Sequence, residues 1–275
     1  MRTLLTVIIM AAVCVMAAAQ ATGKYANVNG LKMYYEIHGT GFPLVLIHGG
    51  GSTIETTFGR ILPTLAKSHK VIAVEMQAHG HTADIDRPLS FEQDADDIAE
   101  LLKQLNINKA DVFGFSNGAS TTLEIAIRHP QLVNKIIVAS TMYKRSGADP
   151  GFWKMMEHTS FEQMPQALKD AYGQINPSKD ALYTMYQRDV GRMQTFKDIT
   201  EADIENIKAP ALILLADHDV PTPEHGVEMY HKIKNSKLAI LPGGHGEYMG
   251  EITFKPAADN QYPVLSIIDS FLGEK

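Results

Sequence analysis

The sequence Gly-Phe-Ser-Asn-Gly at residues 114–118 decides the fold of this chain, because of what stands on either side of it. The apolar run before it, at 110–113, is typical of a strand, and residues 119–127 after it have helical spacing. A Gly-x-Ser-x-Gly turn between strand and helix is typical of a nucleophile elbow, which lifts the Ser116 hydroxyl above the sheet. The helix N-terminus then favours negative charge there. The plainer alternative is a turn that only connects two elements.

The composition of the whole chain is that of a globular protein. It has 275 residues, of which 45% are hydrophobic and 20% charged. This length suits one large α/β domain, or one domain with an insertion. The net charge is −6 and no basic stripe is present, which argues against a nucleic-acid partner.

Residues 1–19 have the pattern of a cleaved export signal. A short positive start, Met1-Arg2-Thr3, precedes an apolar run at 4–18, and small residues at 17–19 form a cleavage site. The mature chain is then expected to begin at Gln20, in the periplasm or outside the cell, with no membrane span. The alternative is a membrane anchor, for which the apolar run is short.

The only cysteine, Cys14, lies within that segment. A lipid anchor at Cys14 is a further alternative, although Val13 poorly fits the small residue that such a cleavage site requires. After cleavage the protein would contain no cysteine, hence no disulfide and no thiol nucleophile.

Strand and helix patterns alternate along the rest of the chain. Strands are predicted at 25–28, 31–37, 43–48, 71–74, 110–113, 135–139, 211–215 and 237–241, and helices at 58–66, 91–105, 119–127, 227–233 and 264–272. Asn29-Gly30 predicts a hairpin between the first two strands, and Ser90 with Gln93 predicts a capping box. This alternation predicts the α/β class, with a mostly parallel, doubly wound sheet.

One segment, residues 142–207, interrupts the alternation. It contains helical patterns and no strand, and it is rich in methionine and aromatic residues. We therefore predict a helical cap inserted after the sixth strand, above Ser116. The α/β core would consist of residues 20–141 and 208–275.

A serine hydroxyl needs a base, and the base needs an orienting acid. Two later loops supply them in the chain order serine, acid, histidine. Asp219 follows the strand that ends near Ala216, and His245 lies among glycines in the loop after the last strand. Asp217 is the rival acid, two residues from Asp219.

Together these motifs resemble the α/β-hydrolase superfamily across nearly all of the mature chain. The matching segments are Leu-Ile-His-Gly-Gly-Gly at 46–51, Gly-Phe-Ser-Asn-Gly at 114–118, Asp-His-Asp-Val-Pro at 217–221 and Leu-Pro-Gly-Gly-His at 241–245. The family's acid precedes a Val-Pro or Ile-Pro pair, which favours Asp219. The chain departs from the family at 77–78 and 81–82, where Gln-Ala and His-Thr replace the more frequent Arg-Gly and Arg-Ser.

The resemblance also implies an oxyanion hole, which requires two preorganised N–H donors. One donor is the backbone of Asn117, the residue after the nucleophile. The other comes from the loop after the third strand, where Gly50 matches the family position and Gly51 is the alternative. The Asn117 side chain either caps its helix or contacts the substrate.

We therefore expect an exported serine hydrolase that cleaves a small or medium carboxylic ester or lactone through an acyl-enzyme, similar to the family's esterases and enol-lactonases. Alternatives on the same triad are a C–C bond hydrolase and a cofactor-free haloperoxidase or perhydrolase. An alternative of another class is a non-catalytic binding protein that kept the fold.

No cofactor or metal is expected. His79 and His81 with Asp84 faintly resemble a metallo-hydrolase ligand set, but the spacing is one residue off and no further histidine follows. The remaining scattered histidines are expected to face solvent: His69, His129, His158, His225 and His231.

Overall fold

The structure is a computed structural model, and it describes residues 23–274. The predicted export signal and Cys14 lie outside the described residues. Within the described range, no helix is both long enough and apolar enough to cross a membrane.

Between residues 23 and 274, eight strands form a single sheet. They are β1 (Lys24–Val28), β2 (Leu31–His38), β3 (Phe42–Ile47), β4 (His69–Glu75), β5 (Ala110–Phe115), β6 (Val133–Ala139), β7 (Ala211–His218) and β8 (Ser236–Gly244). Their order in space is β1-β2-β4-β3-β5-β6-β7-β8. The first two strands are antiparallel to their neighbours, and the strands from β4 to β8 are parallel. The predicted mostly parallel sheet is confirmed.

The β1–β2 hairpin turns at Asn29-Gly30, as predicted. Both residues have positive φ, 47° and 87°, and this dipeptide tolerates that conformation. In the middle of the sheet, residues 44–47 of β3 are completely buried, because helices cover both faces.

Ten α-helices accompany the sheet within the described part of the chain. They are α1 (Ile54–Phe58), α2 (Leu62–Leu65), α3 (Phe91–Gln104), α4 (Asn117–Arg128), α5 (Pro150–His158), α6 (Gln166–Ile175), α7 (Lys179–Gln194), α8 (Glu201–Glu205), α9 (Pro223–Lys232) and α10 (Val264–Gly273). Helices α3, α4 and α9 contribute to the hydrophobic core on one face of the sheet, and α1, α2 and α10 to the core on the other.

The segment between β6 and β7 is helical and contains α5 to α8. The prediction of a helical cap after the sixth strand is confirmed. The cap has two small apolar clusters of its own. One joins Met164, Leu168 and Met185 to Ala78 of the core, and the other gathers Met193 and Phe196 around Trp153.

Two local predictions were wrong. The helix predicted at 58–66 does not form as one piece. Helix α1 ends at Phe58, and α2 begins only at Leu62, because Pro63 fits the first turn of a helix but not its interior. The capping box at the start of α3 is half formed. The Ser90 hydroxyl accepts the Gln93 N–H, but the Gln93 side chain donates to Asp97 instead of reaching back.

Candidate active site

Ser116 lies at the turn from β5 into α4, in a conformation that few residues adopt. Its φ is 53° and its ψ is −120°. A Cβ at Gly114 would lie 2.0 Å from the Gly118 carbonyl oxygen, and one at Gly118 would lie 2.1 Å from the Ile47 carbonyl oxygen. Both glycines are therefore required sterically, and the strain of the serine is held by its surroundings.

The structure brings Ser116, His245 and Asp219 into one hydrogen-bonded row. His245 Nε2 lies 3.0 Å from Ser116 Oγ, and His245 Nδ1 lies 2.5 Å from Asp219 Oδ1. The imidazole ring packs beside the Phe115 ring, with centroids 4.8 Å apart. A nucleophile, a base in contact with it and an acid that orients the base are the parts that acyl transfer requires.

The Asp219 carboxylate is completely buried and fully bonded. Besides His245 it accepts the Ala216 N–H at 2.9 Å, the Val220 N–H at 2.7 Å and the Ser140 hydroxyl at 2.5 Å. Burial alone would raise the pKa of Asp219, but the bond and charge of His245 and the other donors outweigh it and lower that pKa. The group therefore stays ionised at neutral pH.

A second hydroxyl stands behind Ser140. The Tyr248 oxygen is 2.7 Å from Ser140 Oγ. Since Ser140 gives its only proton to Asp219, Tyr248 must be the donor to Ser140. Burial, followed by the Asp219 charge, raises the pKa of the Tyr248 hydroxyl well above its ordinary value, so it keeps that proton. Nothing in the sequence pattern indicated these two residues.

Asp217, the rival acid, lies elsewhere. It is exposed, and its carboxylate accepts the Gly243 N–H at 2.9 Å. This contact joins the ends of β7 and β8, just before the loop that carries His245.

The loop after β3 lies directly beside the elbow. A Cβ at Gly50 would be 2.4 Å from the Asn117 amide nitrogen. The Gly51 N–H is already used, because it donates to Asp189 Oδ2 at 2.6 Å. Within residues 23–274, the backbone N–H groups of Gly50 and Asn117 make no hydrogen bond. They are therefore free to serve a ligand beside Ser116.

The Asn117 side chain does not cap its helix. It lines the cavity, and its amide nitrogen lies 3.4 Å from Asp189 Oδ1.

A cavity of about 430 Å³ opens above Ser116, His245 and Asn117, between the core and the cap. Its walls come largely from the cap and are mostly apolar. They include Met142, Met155, Met156, Met164, Met193, Phe152, Leu168 and Val190. This volume is typical of small-molecule sites.

The histidines of the 79–84 segment have separate partners. His79 contacts Asp189 at 2.8 Å, and His81 contacts Glu75 at 2.8 Å. No group of three acidic, histidine or cysteine side chains in the described residues is arranged to hold a metal ion. The expectation that His225 faces solvent was wrong, because it is buried and its Nε2 accepts the Tyr143 N–H at 3.2 Å.

Residues 43–251 match the family model described as the alpha/beta hydrolase fold, which is more than half of the chain. The protein belongs to this family. Its similarity to the hydrolases described below supports a general hydrolase activity.

Among similar proteins is the human serine hydrolase BPHL, 28% identical over 237 residues that cover 81% of this chain and 79% of that protein. A shorter match, 34% identical over 122 residues, is to 2-hydroxymuconate semialdehyde hydrolase of Pseudomonas sp. strain CF600 and covers 42% of each chain.

Among solved structures, the enol-lactonase of Burkholderia xenovorans LB400 has a TM-score of 0.71 at 22% identity, covering 91% of this chain and all of that one. A serine hydrolase involved in carbazole degradation, CarC, has a TM-score of 0.74 at 23% identity, covering 92% and 98%. At such identities the likeness shows the fold alone.

Proposed function

We propose that this chain is an exported serine hydrolase that cleaves a neutral carboxylic ester or lactone of small or medium size through an acyl-enzyme. The observation that carries the proposal is the row of hydrogen bonds from Asp219 through His245 to Ser116, which ends at the floor of an apolar cavity. We assign the nucleophile to Ser116, the base to His245 and the orienting acid to Asp219.

In the first step Ser116 Oγ attacks the carbonyl carbon while His245 Nε2 takes the hydroxyl proton. Asp219 holds the imidazole by its Nδ1 proton and stabilises the positive charge. The tetrahedral intermediate then collapses, His245 returns the proton to the leaving oxygen, and an alcohol departs. In a lactone this alcohol stays attached to the acyl chain.

In the second step water replaces the alcohol. His245 takes a proton from the water as its oxygen attacks the acyl carbon, and then gives that proton back to Ser116 Oγ. The product is a carboxylic acid and the free enzyme. In both steps the negative oxygen would be stabilised by the N–H groups of Gly50 and Asn117, which are the two free donors beside Ser116.

The charges of the cavity favour a neutral substrate. None of the described residues that line it is lysine or arginine. One relative is named as a hydrolase of a dienoic acid. An acid of that kind would place its carboxylate against an apolar wall with no cation to pair it. Burying an unpaired charge in this way is unfavourable in free energy. We therefore place ester or lactone hydrolysis ahead of C–C bond hydrolysis.

The test is a hydrolysis screen with p-nitrophenyl esters of increasing acyl length, uncharged lactones and an anionic dienoate. We expect turnover of the neutral esters or lactones and little of the dienoate. The reverse preference would support the C–C bond hydrolase. A peroxide-dependent oxidation of halide would favour the perhydrolase alternative, and tight binding without turnover would favour a binding protein.

Export is proposed from residues 1–19 alone. N-terminal sequencing of the protein isolated from the periplasm or medium should begin at Gln20. Protein that remains in the cytoplasm with Met1 intact would contradict this part of the proposal.

A further inference from the structure

One carboxylate of the cap reaches into the loop beside the elbow. Asp189 lies on α7, 138 residues along the chain from Gly51, yet it accepts the Gly51 N–H at 2.6 Å. A Cβ built at Gly50 would lie 3.4 Å from Asp189 Oδ2. The amide nitrogen of the Asn117 side chain lies 3.4 Å from Asp189 Oδ1. Asp189 therefore contacts the elements that carry both free N–H donors.

The charge of Asp189 is matched by a buried ion network. Arg192, one turn along α7, donates to Asp189 Oδ1 and to Asp94 Oδ2, each at 2.7 Å. His79 contacts Asp189 Oδ2 at 2.8 Å. The side chains of Arg192 and Asp94 are 6% and 3% exposed and that of His79 is not exposed, whereas that of Asp189 is 12% exposed where it lines the cavity. Ion pairing therefore contributes most of the charge balance on the buried side of Asp189.

His79 completes the balance. Burial alone would lower the pKa of His79, but the Asp189 charge and hydrogen bond outweigh it and raise that pKa. Burial raises the pKa of Asp94 to about 6, so above that pH, with His79 protonated, two carboxylates face one guanidinium and one imidazolium. A lone carboxylate at this place would oppose the negative oxygen that forms beside Gly50.

We propose that Asp189 is a positioning residue that clamps the Gly50-Gly51 loop in the shape the oxyanion hole needs, so that the cap and the oxyanion hole are assembled together. The proposal rests on the serine hydrolase function above. It follows that Gly51 cannot be the second donor, since the clamp occupies its N–H. The cap then contributes to the rate and not only to substrate preference.

The charge balance also predicts a pH effect. The charged groups that face His79 are Asp189 and Arg192 from α7 and Asp94 from α3. The His48 ring, after β3, also faces it, and the centroids of the two imidazole rings are 4.8 Å apart. Burial lowers the pKa of His48 to about 3, so it remains neutral. As pH rises through the raised pKa of His79, the network becomes negative and kcat should fall.

The matched control is Arg188, on the same helix. It joins the cap to the core through Asp84 at 2.7 Å and has no contact with the loop of Gly50. Asp189→Asn keeps the size of the side chain, but it replaces the charged acceptor of the Gly51 N–H by a weaker, neutral one. Arg188→Gln weakens the attachment of the cap without touching the proposed oxyanion hole.

We would measure kcat and KM for esters of several lengths, and the Ki of a trifluoromethyl ketone and of the matching methyl ketone. The first ketone forms a tetrahedral adduct with serine, and the second is only a shape control. Asp189→Asn should lower kcat about tenfold to a hundredfold for every ester, with KM nearly unchanged. Its Ki for the trifluoromethyl ketone should rise in proportion and that for the methyl ketone should not. The alkaline fall in kcat should also shift.

Arg188→Gln should keep kcat within about threefold of the wild type. Equal losses in both variants, or equal weakening of both ketones, would overturn the clamp and leave a simple cap anchor. If Asp189→Asn does not fold, the double variant Asp189→Asn with Arg192→Gln removes both charges and should show the same loss of kcat. A wild type without turnover or ketone binding would overturn the serine hydrolase itself, and the clamp with it.

Discussion

The Ser140 hydroxyl donates a hydrogen bond to Asp219, and the two oxygen atoms lie 2.5 Å apart. The backbone of Ser140 has a φ of 56°. A non-glycine residue with positive φ is uncommon and is maintained only where its surroundings require it. Here the left-handed turn at the end of β6 aims the hydroxyl at the buried acid. One row of hydrogen bonds therefore runs from Tyr248 through Ser140, Asp219 and His245 to Ser116.

Replacing Ser140 with alanine should lower kcat/KM about tenfold, because one hydrogen bond to a charged group is lost. The Ser140 bond helps to lower the pKa of Asp219, whose ionised form is needed. Its removal raises that pKa only toward its ordinary acidic value, so Asp219 stays ionised at neutral pH and the loss comes from weaker orientation of the acid. Tyr248→Phe acts one bond further away and should have a smaller effect. An unchanged kcat/KM in Ser140→Ala would contradict this role.

Asp219 and Asp217 give a matched pair for identifying the acid. Asp219→Asn should lower kcat by about 10³-fold to 10⁴-fold, since the imidazole loses its orienting charge. Asp217→Asn removes only an exposed bond to the Gly243 N–H and should change kcat by about threefold or less. The measurement is kcat with a p-nitrophenyl ester, with melting curves as the check on folding. The opposite order of effects would move the acid to Asp217.

The methionine side chains that line the cavity should set the preference for the length of the acyl chain. Met142→Ala enlarges the cavity, so relative kcat/KM should shift toward longer esters by about tenfold, the value of one or two methylenes. Met33→Ala is the control, because Met33 is completely buried in β2 and does not line the cavity. That variant should lose about 2–5 kcal/mol of stability and keep the wild-type preference. Equal changes for all esters in Met142→Ala would contradict the prediction.

Glu124, on α4, should reduce stability at alkaline pH. Burial, followed by repulsion from Glu92, raises its pKa to about 7 from an ordinary value near 4.5. The folded protein therefore binds this proton more tightly than the unfolded chain, and stability falls as pH rises from about 4.5 to 7. Glu124→Gln should be more stable by about 1 kcal/mol at pH 8, allowing for solvent screening, and no more stable at pH 4. Urea unfolding at both values checks this, and a gain at pH 4 as large as that at pH 8 would contradict it.

The sequence predicted the features that depend on local patterns. Apolar runs and turn residues predicted the sheet and the cap, and the strand ends predicted that the loops of Ser116, Asp219 and His245 would be neighbours. The contact of Asp189 with Gly51 could not be predicted in this way. It joins residues far apart in the chain, and its acid lies in a helix whose polar positions show no distinctive pattern.

The same limit explains the errors and the omissions. His225 has the pattern of a scattered surface histidine, but it lies in the buried first turn of α9, where it accepts the Tyr143 N–H. The sequence around His79 weakly resembles a metal-ligand pattern, whereas the partner of His79 in the structure is Asp189 of the cap. Such pairings depend on how the cap lies on the core, which local periodicity does not encode.

The proposed hydrolase activity depends most on Ser116 as an activated nucleophile. The direct test is to treat the purified protein with a fluorophosphonate and to locate the adduct by peptide mass spectrometry. We predict one adduct, on Ser116, with loss of ester hydrolysis in step with labelling. Ser116→Ala should remain folded and unlabelled and should lose about 10³-fold or more of the activity. Ester hydrolysis that persists in Ser116→Ala within about tenfold, or an adduct on another residue that abolishes activity, would contradict the account.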